Sequence, residues 1–323
     1  MGNTESQNLQ ELSKTKLTEF EESGNDESIL LNFEQISNHP TIVEQEKSLP
    51  PFEFIHNYYL EHTPNGFKRV PINYESEEEV QMRHNVTSLV GKDSKGIWIY
   101  IGECIKDSEI RDGRGFLVRL ESKEKYYGYF HQGYMNGRGR LITLNSVLEG
   151  DFYNNGLNGI GVETSYSKVV YKGSFRDGKY SGMGKSIYDD GSCYTGDFIA
   201  GLRQGYGEYW WRDGSSYQGN WLEGKFHGKG KYKDRRGAIY DGTWNLNKLE
   251  GQGEYIWQDG RKYRGSYFNG RKHGYGEFHW PDGKLWRGNW VNGKLDGIGE
   301  VLVRDELKKG EWENGVFLRW CNT

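Results

Sequence analysis

The segment Gly182-Met183-Gly184-Lys185-Ser186 ends like a phosphate-binding loop, in which backbone amides and a lysine hold nucleotide phosphates. The complete motif needs a glycine at position 179, where this chain has Lys179. It also needs a buried strand before it and a helix after it, and the flanking residues predict neither. We therefore interpret these glycines as part of a repeat and not as a nucleotide site.

The other residues with reactive side chains are scattered along the chain. Three histidines lack partners at metal-ligand spacing, and we expect them on the solvated surface in or beside hairpin turns: His227, His273 and His279. The three cysteines are odd in number, and no signal peptide or transmembrane run is recognised, which predicts a reduced intracellular chain. No nucleophile–base set stands out. The sequence predicts no enzyme, with no catalytic residue, metal site or cofactor.

The N-terminus fits a lipidation pattern. In Met1-Gly2-Asn3-Thr4-Glu5-Ser6, Gly2 follows Met and Ser6 stands at the required place, so Gly2 is a candidate for N-myristoylation. The alternative is coincidence, because the pattern fixes few positions. One myristoyl chain binds membranes only marginally, so a second signal would be needed.

A basic stripe could supply that second signal. Lys229, Lys231, Lys233 and Arg235 alternate with glycines and Tyr232, so strand geometry predicts all four on the outer face. The candidate residues for an anionic lipid or an acidic protein are Lys225, Lys229, Lys231, Lys233, Arg235, Arg236, Arg261, Lys262 and Arg264. The alternative is a solvated face on which acids pair across strands with polar or basic residues: Glu208, Glu254, Glu277 and Glu300 with Gln218, Arg264 and Arg287.

These residues are carried by an internal repeat. From Gly128 to Gly288 a glycine recurs after 22 residues and then six times after 23. A fixed period in this range predicts stacked supersecondary units.

Each unit has the pattern of a β-hairpin. In Tyr-x-Gly-x-Phe/Trp the three named residues share one face of a strand, and in Gly-x-Gly the glycines leave room for neighbouring rings. In two successive units these structural positions are Tyr194, Gly196, Phe198, Gly205 and Gly207, then Tyr217, Gly219, Trp221, Gly228 and Gly230. Asp-Gly pairs such as Asp213-Gly214 predict tight turns in which both residues have positive φ, and the glycines after the second aromatic mark the other turn.

This pattern resembles the MORN-repeat family, whose hallmark is Tyr-x-Gly-x-Trp-x-x-Gly followed by Gly-x-Gly and an Asp-Gly turn. The resemblance covers residues 97–323. It implies an all-β fold, an antiparallel β-hairpin meander solenoid of about nine to ten 23-residue repeats. Departures are local: Cys104 and extra residues in the first unit, Leu148 and Asn155 in the third, Asn247 in the seventh, and a truncated last unit.

Two segments precede the repeat array. Residues 1–50 hold ten acidic and three basic residues, which predicts disorder, with a short amphipathic docking helix over Ile29–Ile36 as an option. Residues 51–96 are expected to form a leader that partly packs on the first repeat and covers its open edge.

The resemblance implies a non-enzymatic scaffold or adaptor that docks proteins of the cytoskeleton, including the cilium, or of the membrane periphery. The alternative is a myristoylated, phosphoinositide-binding regulator of a lipid kinase. We expect cytoskeletal or axonemal protein partners, an anionic lipid as a further option, and no nucleic acid. The expected location is the cytoplasm, at the cytoskeleton or cilium or on the cytoplasmic face of a membrane.

The C-terminal end predicts self-association. A meander exposes a sheet edge at each end, and Trp312, Phe317, Leu318 and Trp320 lie close to the terminus. We expect a homodimer through the C-terminal repeats, since one edge meeting its copy forms a closed contact. The alternative is that these residues fold back and seal their own edge.

Overall fold

The structure is a computed structural model that describes residues 58–63, 66–71, 84–165, 168–303 and 306–321. The segment predicted to be disordered, with its Ile29–Ile36 helix, lies outside the described residues. Every regular element within them is a β-strand, as the repeat predicts. The chain divides into two compact units, residues 1–178 and 179–323.

Unit 1 contains a hairpin followed by a meander of eight strands. The hairpin strands β1 and β2 pair from Tyr58 opposite Pro71 to Thr63 opposite Gly66, and β1 lies beside β6, β7 and β8. Strand β3, from the segment predicted as a leader, pairs with β4 along its whole length of 10 residues. The strands are β1 (Tyr58–Thr63), β2 (Gly66–Pro71), β3 (His84–Asp93), β4 (Gly96–Ile105), β5 (Arg111–Arg119), β6 (Lys125–His131), β7 (Tyr134–Ile142), β8 (Val147–Tyr153), β9 (Gly156–Ser165) and β10 (Lys168–Arg176).

Unit 2 is an antiparallel meander in which each strand pairs with the next one in the sequence. Its strands are β11 (Lys179–Ile187), β12 (Cys193–Ile199), β13 (Leu202–Trp210), β14 (Ser216–Leu222), β15 (Lys225–Lys233), β16 (Ile239–Asn245), β17 (Lys248–Ile256), β18 (Lys262–Phe268), β19 (Arg271–His279), β20 (Leu285–Val291), β21 (Lys294–Val303), β22 (Glu306–Glu313) and β23 (Val316–Trp320). The register keeps glycine opposite glycine, for example Gly207 opposite Gly219 and Gly219 opposite Gly230.

In both units one face of the meander is packed by tyrosine rings lying on glycine backbone. Tyr194 is completely buried, and its ring covers Gly196 and Gly207, which face each other on β12 and β13. A Cβ atom added to Gly207 would overlap the Tyr194 hydroxyl and ring. Tyr217, Tyr240 and Tyr263 repeat this contact over their own glycine pairs. The predicted packing of rings over strand glycines is thus present in successive units.

The tyrosine hydroxyl has a constant hydrogen-bond partner. Tyr194 Oη donates to the carbonyl of Asp197 at 3.0 Å, three residues further on, and Tyr217 donates in the same way to Asn220 at 2.9 Å. Tyr240 and Tyr263 make the equivalent bonds to Thr243 and Ser266 at 3.0 Å. A buried hydroxyl needs a partner, and here the bond also fixes the strand segment that follows the glycine.

The two glycines of Gly-x-Gly have different roles, which corrects the expectation that both lie beneath a ring. Gly207 lies under Tyr194, whereas Gly205 has φ +69° and lies where the register between β12 and β13 shifts. Positive φ is readily adopted by glycine, so Gly205 is needed for a β-bulge.

The turns also differ from the prediction. The tight turns with two positive φ values join β12 to β13 at Ala200-Gly201, with φ 50° and 87°, and recur at this position in later units. Asn247, which replaces the glycine in one of them, has φ 71°, a conformation that asparagine tolerates. The Asp-Gly pairs form longer loops: Gly214 has φ +87°, Asp213 does not have positive φ, and its carboxylate accepts the Ser215 N–H at 2.9 Å. The prediction of type I′ turns at Asp-Gly was therefore wrong.

Replacing Gly207 with valine should destabilise unit 2 strongly. The branched side chain would occupy the space of the Tyr194 ring, and overpacking of this kind costs about 1–3 kcal/mol. We expect a clear fall in the thermal midpoint followed by circular dichroism. The matched control is Tyr206→Val, one residue away on the opposite face, where the side chain is 52% exposed and the midpoint should hardly change. Equal midpoints for the two variants would refute the ring-over-glycine packing.

Candidate functional site: the outer face of the repeats

The face opposite the tyrosine rings, here called the outer face, has a regular row of exposed side chains in unit 2. The row consists of the residues between paired glycines, and we name it the central row: Met183, Tyr206, Lys229, Gln252, Tyr275 and Ile298. Met183 is 60% exposed and Tyr275 57%, although both lie within strands. Because glycines flank each of these residues, the side chains stand clear of their neighbours on the same strand.

Charged and amide side chains form a second row on the outer face. Gln218 donates to Glu208 at 2.7 Å, and Arg287 pairs with Glu300 at 2.6 Å. Arg264 lies opposite Glu254 in the register, but the ion pair of Glu254 at 2.7 Å is with Lys262. The expected cross-strand partners are therefore present for Glu208 and Glu300, whereas Glu254 pairs with Lys262 in place of Arg264 and Glu277 lies 3.4 Å from His279 of its own strand.

The basic stripe is shorter than predicted. Lys225, Lys229, Lys231 and Lys233 are exposed along β15, and Lys229 faces the uncharged Thr243 across the strand pair. Lys231 lies 3.8 Å from Asp241. The other candidates do not extend this stripe along the strand.

Arg235 does not lie on the strand, which corrects its assignment to the outer face. Strand β15 ends at Lys233, and Arg235 and Arg236 both lie in the following turn. Arg261 also lies in a turn and pairs with Asp259 at 2.7 Å. Arg264 is exposed on β18.

Two of the three histidines are placed differently from the prediction, whereas His279, the last residue of β19, lies beside a turn as expected. His227 and His273 lie within strands β15 and β19 and are half-buried, and Nδ1 of each is buried without a hydrogen-bond partner in the described structure. His279 is also in β19, 3.4 Å from Glu277. The repeat explains the error, because the position before Gly228 and Gly274 is on a strand and not in a turn.

The segment that imitates a phosphate-binding loop lies inside strand β11. Gly184 faces Gly196 on β12, and Ser186 is buried opposite Tyr194. A loop that cradles phosphates must lead into a helix, whereas this segment belongs to an antiparallel strand pair. Its glycines therefore serve the repeat, as the sequence indicated.

The described residues contain no group of His, Cys, Asp or Glu side chains able to hold a metal ion. None of the elements in the described ranges is a helix long and apolar enough to cross a membrane. Gly2, the candidate lipidation site, lies outside the described residues.

Comparison with known proteins agrees with this geometry. The family model for the MORN repeat matches residues 126–143, 171–193, 194–216, 217–238, 240–260, 263–284 and 286–300. The chain belongs to the MORN-repeat family. The seven matches are fewer than the nine to ten units expected, and the first, third and truncated last units, where the sequence departs from the family pattern, are not matched. MORN repeats are generally non-catalytic binding repeats, and no catalytic domain is evident among the residues that the structure describes.

Other comparisons add little. No curated protein matches the chain. Among solved structures, the TCP domain of SAS-4 from Drosophila melanogaster, in complex with a proline-rich motif of Ana2, has 7% identity and a TM-score of 0.18, with 69% of this chain and 88% of that chain covered. A streptogramin B lyase has 8% identity and a TM-score of 0.14, with 72% and 89% covered.

The side chain at one position of the MORN unit is surrounded by aromatic rings, which we call the aromatic box. The sequence did not lead us to expect it. The position lies two residues before the first glycine of Gly-x-Gly and holds Phe226, Leu249 or Leu295 in three units. In a fourth it holds Lys272, whose Nζ lies 4.6 Å from the ring centres of Phe278 and Trp290 and 4.9 Å from those of Trp257 and Tyr263. Cation–π attraction is strongest where water is excluded, so these rings stabilise the ammonium. Aligning the units at this position would have revealed the exchange of apolar residues for cations.

Burial shifts the pKa of Lys272 and the pKa values of the packed tyrosines in opposite directions. It lowers the pKa of Lys272 to about 8, and the charge of Arg261 acts in the same direction. It raises the pKa of Tyr171 to about 12, and raises those of Tyr194 and Tyr217 as well. The buried lysine releases its proton more easily than a free lysine, whereas the tyrosines hold theirs.

Lys272 should make the protein more stable as the pH rises from about 8 to about 10. In this range folded Lys272 loses its proton while the unfolded lysine, with an ordinary pKa of 10.5, keeps it, so the unfolded state binds more protons and stability increases with pH. Above about pH 10 the tyrosines reverse the trend, because they lose protons first in the unfolded state. Lys272→Leu should remove the rise, whereas Lys248→Leu at an exposed site should keep it. Urea unfolding midpoints at pH 7 to 10 test this, and parallel profiles for all three proteins would contradict it.

Proposed function

We propose that this chain is a non-enzymatic MORN-repeat scaffold that docks proteins of the cytoskeleton, including the cilium, or of the membrane periphery. The observation that carries the proposal is the central row of unit 2. Four of its six members are Met183, Tyr206, Tyr275 and Ile298, which are 52–60% exposed. Tyrosine and methionine are enriched at protein interfaces, and a regular row of such side chains is a contact surface for another protein.

The chemistry of the central row favours a protein partner whose binding surface has an apolar centre and a polar or charged rim. Each apolar member has a polar residue opposite it on the next strand: Asp197, Asn220, Asn289 and Glu311 face Met183, Tyr206, Tyr275 and Ile298 in that order. The paired charges of the second row lie further along the same strands. A partner can bury the apolar side chains while its polar rim meets these groups. A cytoskeletal or axonemal protein of this kind would place the chain at the cytoskeleton or cilium.

Removing the apolar part of the central row should release the chain from its partner. The quadruple variant carries Met183→Ser, Tyr206→Ser, Tyr275→Ser and Ile298→Ser. Most of it should no longer be found in the detergent-resistant cytoskeletal fraction of cells. The matched control carries Ile199→Ser, Leu202→Ser, Phe268→Ser and Val291→Ser, which are also exposed but lie beside the tight turns. The proposal fails if both variants behave alike, or if the unaltered chain is never retained.

The alternative function is a myristoylated, phosphoinositide-binding regulator of a lipid kinase. The alternation of Lys229, Lys231 and Lys233 along one side of β15 supports it, because these three charges would face a lipid surface together. Under the alternative function, the chain should bind vesicles containing phosphatidylinositol 4,5-bisphosphate, and changing Lys229, Lys231 and Lys233 to Gln should weaken that binding. Under the scaffold function, the substitutions should make no difference to vesicle binding. Lys248, Lys294 and Lys308 changed to Gln give a control of equal charge. Intact-mass analysis decides whether Gly2 carries a myristoyl group.

We also propose a homodimer through the C-terminal repeats. Within unit 2, β23 pairs with β22, and all of its residues are exposed, with Trp320 at 52%. Trp312 is buried and contacts Phe317, so part of the predicted cluster does fold back on its own sheet. Trp320→Lys should weaken dimerisation at least tenfold in light scattering, whereas Tyr275→Lys should not. A monomer at high micromolar concentration of the unaltered chain would rule the dimer out.

A further inference from the structure

Unit 1 contains a cavity of about 430 Å³ between strands β3, β5, β6 and β7. Its apolar wall is formed by Leu117, Tyr126, Phe130, Met135 and Leu141. This volume is within the range of sites that hold small molecules, which are typically apolar with a few polar groups at fixed places.

The charges at this cavity do not balance. Arg119 binds Asp93 through Nη1 at 2.7 Å and lies 3.6 Å from Glu124, so it engages both acids of the lining. The hydrogen bond from Arg119 holds the pKa of Asp93 below its usual range. The other two lining cations are Lys95 and Arg111, and neither has a carboxylate of the described residues within ion-pair distance. The charge of Asp93 acts on Arg111, but Asp93 is bonded to Arg119.

Arg111 is the more unusual of the two cations. Its guanidinium is half-buried and lies 4.7 Å from the ring centre of Trp98 and 5.5 Å from that of Phe130. Within the described ranges the guanidinium has no hydrogen-bond acceptor, and burial lowers its pKa. Removing a charge from water without a partner is costly, so an anion at this place would be strongly favoured.

A second arginine at the same repeat position, Arg203 in unit 2, differs from Arg111 in its hydrogen bonding. Arg203 lies 4.5 Å from the ring centre of Trp221, but its Nη2 donates to the carbonyl of Gly224 at 3.0 Å. The aromatic contact is common to both arginines. Of these two arginines, Arg111 lines the cavity, and its guanidinium donors have no acceptor among the described residues.

We propose that this cavity binds a small anionic ligand, in which one carboxylate or phosphate group is attached to an apolar body. The head group accepts hydrogen bonds from Arg111, whose planar fork suits both oxyanions, and Lys95 adds a second positive charge at the rim. The apolar body lies against Leu117, Met135 and Leu141. The site is independent of the outer face of unit 2 and of the scaffold function.

Calorimetric titration of the full chain with phenyl phosphate and with 4-phenylbutyrate tests the proposal. At least one acid should bind saturably, and 4-phenylbutanamide, the neutral amide of the second, should bind at least tenfold more weakly than the acids. Comparison of the two acids identifies the head group. The variant Arg111→Met has the residue found at the equivalent place in the next unit, Met135, and should weaken binding at least tenfold, since a hydrogen bond to a charged group of this kind is worth that factor or more.

The control is Arg203→Met, which removes an arginine with similar aromatic contacts at a place without this cavity and should leave binding unchanged. The proposal is overturned if neither acid binds at millimolar concentration, if the amide binds as well as the acids, or if Arg111→Met binds like the unaltered chain. If Arg111→Met does not fold, the comparison of acid with amide on the unaltered chain decides alone.

Discussion

The contact on which the rest of this structure depends is a tyrosine ring lying across two facing glycines. Since Tyr194 occupies the volume above Gly196 and Gly207, neither glycine can carry a side chain, and the pairing of β12 with β13 cannot slip without a clash. The hydroxyl bond to Asp197 then holds the backbone beyond the glycine, where the register shifts. One side chain thus fixes register, bulge and packing together.

This arrangement separates stability from recognition. Tyr194, Phe198 and Trp221 pack edge to face, with ring centres 5.0 and 5.3 Å apart for the two contacts of Tyr194, and are nearly or fully buried. Residues on the opposite face, such as Tyr206, take no part in this packing. Sequence can therefore change freely on the outer face, and a row that retains exposed tyrosine and methionine there needs an explanation other than folding.

Most of the fold could be predicted from the sequence because the residues of the tyrosine–glycine contact recur in successive repeats. The period can be read directly from the glycine spacing. Alternation in strands then predicts that Tyr194, Gly196 and Phe198 share one face and that Glu300 and Arg287 lie on the other, where they pair. The turns could not, because Asp213 was assigned from a general hairpin preference, whereas its side chain accepts a hydrogen bond from Ser215 and stabilises a longer loop. The strand positions of His227 and the turn position of Arg235 were missed for the same reason: both depend on where each strand ends.

The aromatic box shows where a regular array can acquire individual properties. Its occupant is not part of the tyrosine–glycine contact, so Leu249, Arg203 and Lys272 can replace one another while the strands keep their register. A cation there is stabilised by rings and penalised by burial, and the balance depends on what else it meets. Arg203 meets a backbone carbonyl, whereas Arg111 lines a cavity between strands of the first and second units. Arg111 itself belongs to the first unit, which the family model does not match. The arginine without an ion-pair partner thus lies in a unit that departs from the family pattern. Such a unit can most readily accommodate a property that the other units do not share.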